Sequence, residues 1–298
     1  MSTVAELLAS DRFTSVDSVT AGWSDDRKYR VTTPDGTRYL LRVSAPGRTD
    51  HRRQVFDVMS QVADQGVPIC RPVEIDTCDD GLYMLLEWID GEDLGPLLPR
   101  IPASQQYELG VTSGRRLRTI HTAPAPEVAT SWTELFNTKI DTKLRTYMAS
   151  DLRYDGDEHL IRYVAENRHL LDGRPQTFQH GDYHPGNMML SDGELYIIDF
   201  DRADIGDPWE EFNRIVWSAQ LSPAFASGQL HGYVGGDPPD TFFRLLALYI
   251  ATNTLSALPW AARFGQPEIE TMLAQGRDVL TWYDNMRDPV PGWYLPAP

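Results

Sequence analysis

A histidine, a glycine and an aspartate stand together at His180-Gly181-Asp182, with an amide five residues on at Asn187 and further carboxylates at Asp199 and Asp201. The run Tyr196-Ile197-Ile198 has the composition of a buried strand and delivers Asp199 at its end. Residues 187–190 and 195–200 are predicted to pair as a hairpin through Ser191-Asp192-Gly193-Glu194. A carboxylate, an amide five residues later and a second carboxylate after a hydrophobic strand form a donor set for phosphoryl transfer. The first Asp takes or orients a hydroxyl proton; the Asn and the second Asp hold magnesium on a nucleotide. Hard oxygen donors, few in number, suit magnesium, which keeps waters and phosphate oxygens as its other ligands. Each residue also has an ordinary structural reading: Asp182 bonding its own loop amides, Asp199 closing a strand. His180 is expected to brace the loop backbone, Gly181 to supply a special backbone angle, and Asp201 either to support the metal or to cap the strand.

These groups need a frame. Strands are predicted over 13–19, 28–33, 37–44, 72–76 and 82–88, with Pro34-Asp35-Gly36 as a turn between the second and third. A helix is predicted over 50–65, because Val55, Val58, Met59 and Val62 recur at three- and four-residue spacing. Trp88-Ile89-Asp90-Gly91 ends the strand pattern. Beyond it the chain reads as mostly helical, over 104–121, 131–148, 157–171, 207–220, 240–258 and 267–286. Gly110 and Gly114 signal close helix packing. Asp207-Pro208-Trp209-Glu210 has the signature of a capped helix start.

With 298 residues and 41% apolar composition, the chain can build one large domain or two modest lobes. A net charge of −16 disfavours nucleic acid, whose phosphates it would repel. No run of about 18 apolar residues predicts a membrane span, and the N-terminus lacks a basic region with an apolar signal core, so a cytoplasmic location is expected. Cys70 and Cys78 lack a CxxC partner and are expected to be reduced, half-buried thiols.

His180-Gly181-Asp182 with Asn187, followed by Ile198-Asp199-Phe200-Asp201, resembles the aminoglycoside phosphotransferase family, small-molecule kinases with a protein-kinase-like fold. The resemblance implies a two-lobed α+β fold: a five-stranded antiparallel N-lobe with one helix over 1–88 and a larger helical C-lobe over 89–298. It implies Asp182 as the catalytic group, Asn187 and Asp199 as Mg2+ ligands, and ATP or GTP as phosphoryl donor. Glu87 would lend a carbonyl and Ile89 an amide to the base. Arg42 stands where the family usually has a phosphate-pairing Lys with a helix Glu; Asp57 is the nearest acid on the helix. Ser24 falls where a phosphate-covering turn is expected.

The acceptor implied is a small, cationic molecule such as an aminoglycoside, with His184 and the acidic stretch Asp155, Asp157 and Glu158 as candidate contacts. Asp155 or Asp157 can equally serve as a helix cap. A metabolic kinase acting on an amino alcohol, hydroxy amino acid or sugar is the alternative reading. A ligand-binding pseudokinase is a third, kept open by Arg42. A two-metal phosphohydrolase is disfavoured, because only His231 lies beyond the hairpin.

Overall fold

Alternating side chains on β3 (Arg38–Ser44) separate two buried faces of one sheet. The computed structural model describes residues 3–20, 26–79 and 81–298. They form two compact units: residues 1–94 with 187–201, and residues 95–186 with 202–298. The expected contiguous division at residue 88 is therefore corrected. The first unit runs on to Leu94 and takes the later hairpin with it.

In the first unit, α1 (Val4–Leu8) starts on a capping box between Thr3 and Glu6. Then β1 (Ser15–Ser18), β2 (Arg27–Thr32), β3, β4 (Pro72–Cys78) and β5 (Gly81–Glu87) form an antiparallel sheet in the order β1-β2-β3-β5-β4. This is the predicted five-stranded sheet. Leu41 and Val43 point from β3 into a core with Val4, Phe13, Val31, Tyr83 and Leu85. Arg42 and Ser44 alternate to the other face and are buried too. The helix α2 (Thr49–Asp64) buries Arg52, Val55, Met59 and Val62, so an arginine sits on its apolar stripe. A short strand β6 (Glu92–Asp93) pairs with β8 (Met188–Ser191), which pairs with β9 (Glu194–Ile197). The β8–β9 turn is tighter than expected: Asp192 and Gly193 both take positive φ, as a two-residue hairpin connection requires. Ile197 donates its amide to Pro68 O at 3.0 Å, tying the hairpin to this unit.

The second unit is helical apart from the two-stranded pairing of β7 (Thr177–Gln179) with β10 (Asp204–Gly206). After the single turn α3 (Leu94–Leu97) come α4 (Ala103–Ile120), α5 (Trp132–Ala149) and α6 (Asp157–Asn167). Beyond β10 lie α7 (Ile215–Leu221), α8 (Pro223–Val234), α9 (Asp240–Ala261) and α10 (Gln266–Trp282). The helix α9 is long and apolar enough to cross a membrane, but 72% of its apolar window is buried inside the protein, as in a core helix. It packs against α5, α6 and α10.

One predicted helix differs and one helix was not predicted. Residues 207–220 do not form one capped helix; a 3₁₀ segment over Glu210–Arg214 precedes α7. The Asp207 carboxylate accepts the Trp209 amide at 2.9 Å as a cap would, but is also held by Arg174 (2.6 and 2.8 Å) and Tyr249 (2.6 Å), and Glu210 accepts from Asn213 and Gln179 instead of closing a capping box. Residues 223–234 were not expected to be helical. They are buried nearly all round, so they show no polar face, although Ser222-Pro223 is a helix start and Gly235 a left-handed stop.

The helices α4 and α8 meet backbone to backbone. A Cβ on Gly114 would lie 2.0 Å from Gln229 O, and one on Gly232 2.0 Å from Val111 O. Gly114→Ala is expected to destabilise by about 1–3 kcal/mol through this overpacking. Gly47→Ala, where no atom lies within 4 Å, should not. Thermal or urea denaturation of both variants checks the difference.

Candidate active site

In the second unit, β7 runs into the loop that carries Asp182. Gly181 has φ +82°, and a Cβ there would lie 1.9 Å from Arg202 O, so no other residue fits without moving the backbone. Its amide donates to both carboxylate oxygens of Glu211, at 3.0 and 3.2 Å. Glu211 is buried, with His121 Nε2 3.6 Å away, and His121 Nδ1 contacts Tyr233 OH at 2.8 Å. Burial alone would raise the Glu211 pKa; the hydrogen bond and charge of His121 outweigh it and hold the carboxyl low. His180 is fully buried, and its Nδ1 accepts the Asp182 amide at 3.3 Å, the bracing role expected of it. Tyr183 is buried beside it and donates to Ser113 O at 2.8 Å.

The Asp182 carboxylate faces cations. Arg214 Nε lies 3.1 Å from it, His184 Nε2 3.7 Å and Arg202 Nε 3.8 Å. Burial pushes its pKa up, but the hydrogen bond of His184 and the charges of Arg214, His184 and Arg202 prevail and hold it well below the usual carboxylate range. His184 Nδ1 accepts the Gly186 amide at 3.1 Å, which leaves its Nε2–H directed at Asp182. Asp182 thus stays ionised and is a weak proton acceptor. Its strength is charge and direction.

In the first unit, Ile198 donates its amide to Asn187 O at 3.0 Å, so the residues bracketing the hairpin meet at one end. Asp199 adopts φ +63°, uncommon for a residue with a side chain. Its carboxylate is about one-third exposed and lies 3.4 Å from Arg42 Nη1. Asp199 and Asn187 are hard donors at one accessible strand end, and among the described residues no larger His, Cys, Asp or Glu cluster forms a metal cage. That fits magnesium, which needs few protein ligands.

Arg42 does not pair with an acid of α2. Its Nη2 bonds Asp201 and lies 2.9 Å from Asp26. Arg52, fully buried on α2, reaches the same acids: Nη1 to Asp201 at 2.6 Å, Nη2 to Asp26 at 2.7 Å, and Nε to Ser44 Oγ at 3.0 Å. Asp57 is exposed, and the expectation that it partners Arg42 is corrected. With an arginine on the strand, a second arginine occupies the helix position and the bridging acids come from β2's entry and the end of β9. Burial opposes the charge on Arg42, but Asp201, Asp199 and Asp26 together raise its pKa.

At the end of β5, Glu87 donates to Arg71 O and Trp88 to Arg38 O, whereas the half-buried Ile89 makes no amide hydrogen bond among the described residues. Ser24 lies outside the described residues. Asp157 accepts from Tyr147 OH at 2.7 Å in the first turn of α6, Glu158 lies 3.6 Å from His159, and Asp155 is exposed. This stretch is anchored on α9 and α10: Tyr154 OH donates to Thr254 O, and Gly156 approaches Leu280. Glu211, Arg52 and Arg214 were not singled out in the sequence; Asp26, which next to Ser24 reads as facing away from phosphate or repelling it, is buried against Arg42 and Arg52. Only Arg52 left a signal, as a charged residue in phase with the apolar stripe of α2. Cys70 and Cys78 are free thiols, and both are buried rather than half-buried. Burial pushes the Cys70 thiol up to about 11.

The family model of the phosphotransferase enzyme family matches residues 15–243. Among solved structures, a choline/ethanolamine kinase family protein from Mesorhizobium loti is similar with TM-score 0.70 and 17% identity, covering 96% of each chain. An amicoumacin kinase in complex with AMP-PNP, Ca2+ and Ami gives TM-score 0.67 and 14% identity, over 97% of this chain and 95% of that one. An aminoglycoside 2'-phosphotransferase-IIIa in complex with GDP gives 0.67 and 17%, over 93% and 96%.

Arg52→Met removes one cation from a buried set and is expected to destabilise by about 3–5 kcal/mol. Asp57→Asn should stay within about 0.5 kcal/mol. Chemical denaturation separates the two, and equal effects would put the helix partner back at Asp57.

Proposed function

Because the chain belongs to the phosphotransferase enzyme family and is a nucleotide-dependent kinase, we propose that it moves the terminal phosphoryl group of a nucleoside triphosphate to a hydroxyl of a small molecule. The observation that carries this reading is the family match across both Asp182 and the Asn187–Asp199 hairpin. The acceptor oxygen attacks the terminal phosphorus, the bond to the bridging oxygen breaks, and the nucleoside diphosphate leaves with that electron pair. Asp182 orients the hydroxyl by accepting its hydrogen bond. Being a weak base, it receives the proton only after the new P–O bond has largely formed, and then passes it to solvent. Asn187 and Asp199 would hold magnesium, which when bound neutralises phosphate charge. Arg42 contributes by fixing Asp199 and Asp201. Ile89 is the candidate amide for the base.

Two acceptor classes are weighed: a cationic antibiotic, as the similar aminoglycoside 2'-phosphotransferase-IIIa suggests, and a metabolite. The guanidinium groups of Arg202 and Arg214 around Asp182 favour the metabolite reading, a hydroxy amino acid or sugar, over an aminoglycoside. The acidic residue Asp157, a candidate contact for a cation, is engaged by Tyr147.

Asp182→Asn is expected to lower turnover by about 100-fold or more while nucleotide affinity stays. Asp199→Ala should abolish magnesium-dependent nucleotide binding, read as lost thermal stabilisation by nucleotide with Mg2+. Wild-type turnover in the first variant, or unchanged stabilisation in the second, would remove these residues from their roles.

A further inference from the structure

His121 closes α4, its amide donating to Leu117 O at 3.0 Å, and its side chain is buried. Nδ1 lies 2.8 Å from Tyr233 OH, and the two rings meet edge to face with centroids 5.4 Å apart. Tyr233 belongs to α8, the helix that meets α4 backbone to backbone. A Cβ on Gly114 would come within 2.7 Å of the Tyr233 nitrogen, so the glycine contact sets how closely the two side chains approach. With the Tyr233 hydroxyl donating to Nδ1, the proton on Nε2 points the other way. There it meets the Glu211 carboxylate at 3.6 Å, and Nε2 has no hydrogen-bond partner among the described residues. Tyr233 also packs edge-on against Phe212, the neighbour of Glu211, at 4.9 Å.

Glu211 has few holds of its own. Among the described residues its buried carboxylate accepts the Gly181 amide and faces the His121 ring, and it makes no other hydrogen bond or ion pair. A buried carboxylate left with one amide is poorly compensated and takes up a proton or turns away. Either change weakens the acceptor of the Gly181 amide. Gly181 stands at φ +82° with its backbone pressed against Arg202 O, and Asp182 is the next residue. The direction of the Asp182 carboxylate therefore hangs on a chain of contacts that begins at His121.

We propose that His121 is a positioning residue for phosphoryl transfer: through Glu211 and the Gly181 amide it fixes the backbone that aims Asp182, and Tyr233 fixes the His121 ring. This rests on the phosphotransferase reading and adds to it a residue some sixty positions upstream of the loop. His121 acts from within the core and does not bind the reactants. Its loss therefore lowers turnover and spares binding.

The test uses the full chain. His121→Phe keeps a ring against Tyr233 and removes both nitrogens. His121→Gln offers an amide N–H to Glu211 and a carbonyl to Tyr233 OH. Tyr233→Phe removes only the hydroxyl on Nδ1. ADP release from ATP with Mg2+ is followed with water, choline, L-homoserine and kanamycin as acceptors. Amide exchange of residues 180–183 is followed separately, with no acceptor present. His121→Phe is expected to lower kcat by about 10- to 100-fold, with KM for ATP and acceptor within about twofold of wild type. It should also speed exchange at 180–183 by about 10-fold or more. His121→Gln should restore most of the turnover and the slow exchange. Tyr233→Phe should lower kcat by about 3- to 10-fold at unchanged KM, and it decides the question if His121→Phe does not fold. The proposal is overturned if kcat is unchanged in the Phe variants, if KM rises instead, if exchange at 180–183 stays as slow as in wild type, or if His121→Gln is no better than His121→Phe. Failure of the phosphotransferase reading is distinct: wild type would then release no ADP with any acceptor, while exchange would still decide whether His121 holds the loop.

Discussion

Arg52 carries its charge where water does not reach it, and the first unit is arranged around that fact. A buried guanidinium needs carboxylates with good geometry, or it destabilises the fold. Asp26 and Asp201 meet the need from opposite ends of the chain's first two hundred residues, and each is shared with Arg42. Four parts are tied through this set: the entry to β2, the middle of β3, the first turns of α2 and the segment after β9. Asp199, two residues before Asp201, stands beside this set, 3.4 Å from Arg42, with φ +63°. Where the resemblance implies a lysine–glutamate pair, two arginines share two aspartates. A planar fork can bond two acids at once, which a lysine point charge does less well.

The second unit holds its loop by other means. Gly181 lets the backbone close on Arg202 O, and Glu211 accepts the freed amide from below. His121 and Tyr233 support Glu211 in turn. Asp182, the orienting group of the proposed reading, is left facing cations and stays charged. The aromatic residues beneath, with Phe212 edge-on to both Tyr233 and Phe242, make this floor stiff. Rigidity under this carboxylate preserves its direction, which is what the proposed orienting role requires.

Much of this was legible in the residues. The five strands, the α2 stripe and the hairpin follow from two- and three-to-four-residue periods and from turn chemistry. The His180-to-Asn187 and Asp199 spacing marked the segment for which we propose the chemistry. What escaped has physical reasons. The helix α8 is buried on nearly every side, so no polar face marks it. Asp207 looked like a helix cap because capping uses the same residue type as a buried hub; its Arg174 and Tyr249 partners are far away in sequence. Asp57 was preferred over Arg52 because an acid is the expected partner of a cation, and nothing local reveals that two arginines share distant acids. The cations around Asp182 come from its own loop, from Arg202 just after Phe200 and from the 3₁₀ turn before α7, and only folding assembles them.

The first unit is not contiguous: residues 187–201 complete it after nearly a hundred residues of the second have been made. During synthesis, a nascent chain ending at Leu94 holds β1 to β6 and both arginines, but only one of the two shared acids. Asp201 emerges from the ribosome much later, and until then Arg42 and Arg52 compete for Asp26. Order of emergence and order of completion therefore differ. The amino-terminal unit begins first, yet its buried charges balance only once most of the chain is available. An exposed β8-binding edge and an unneutralised cation pair during that interval are features a chaperone would meet before any substrate does.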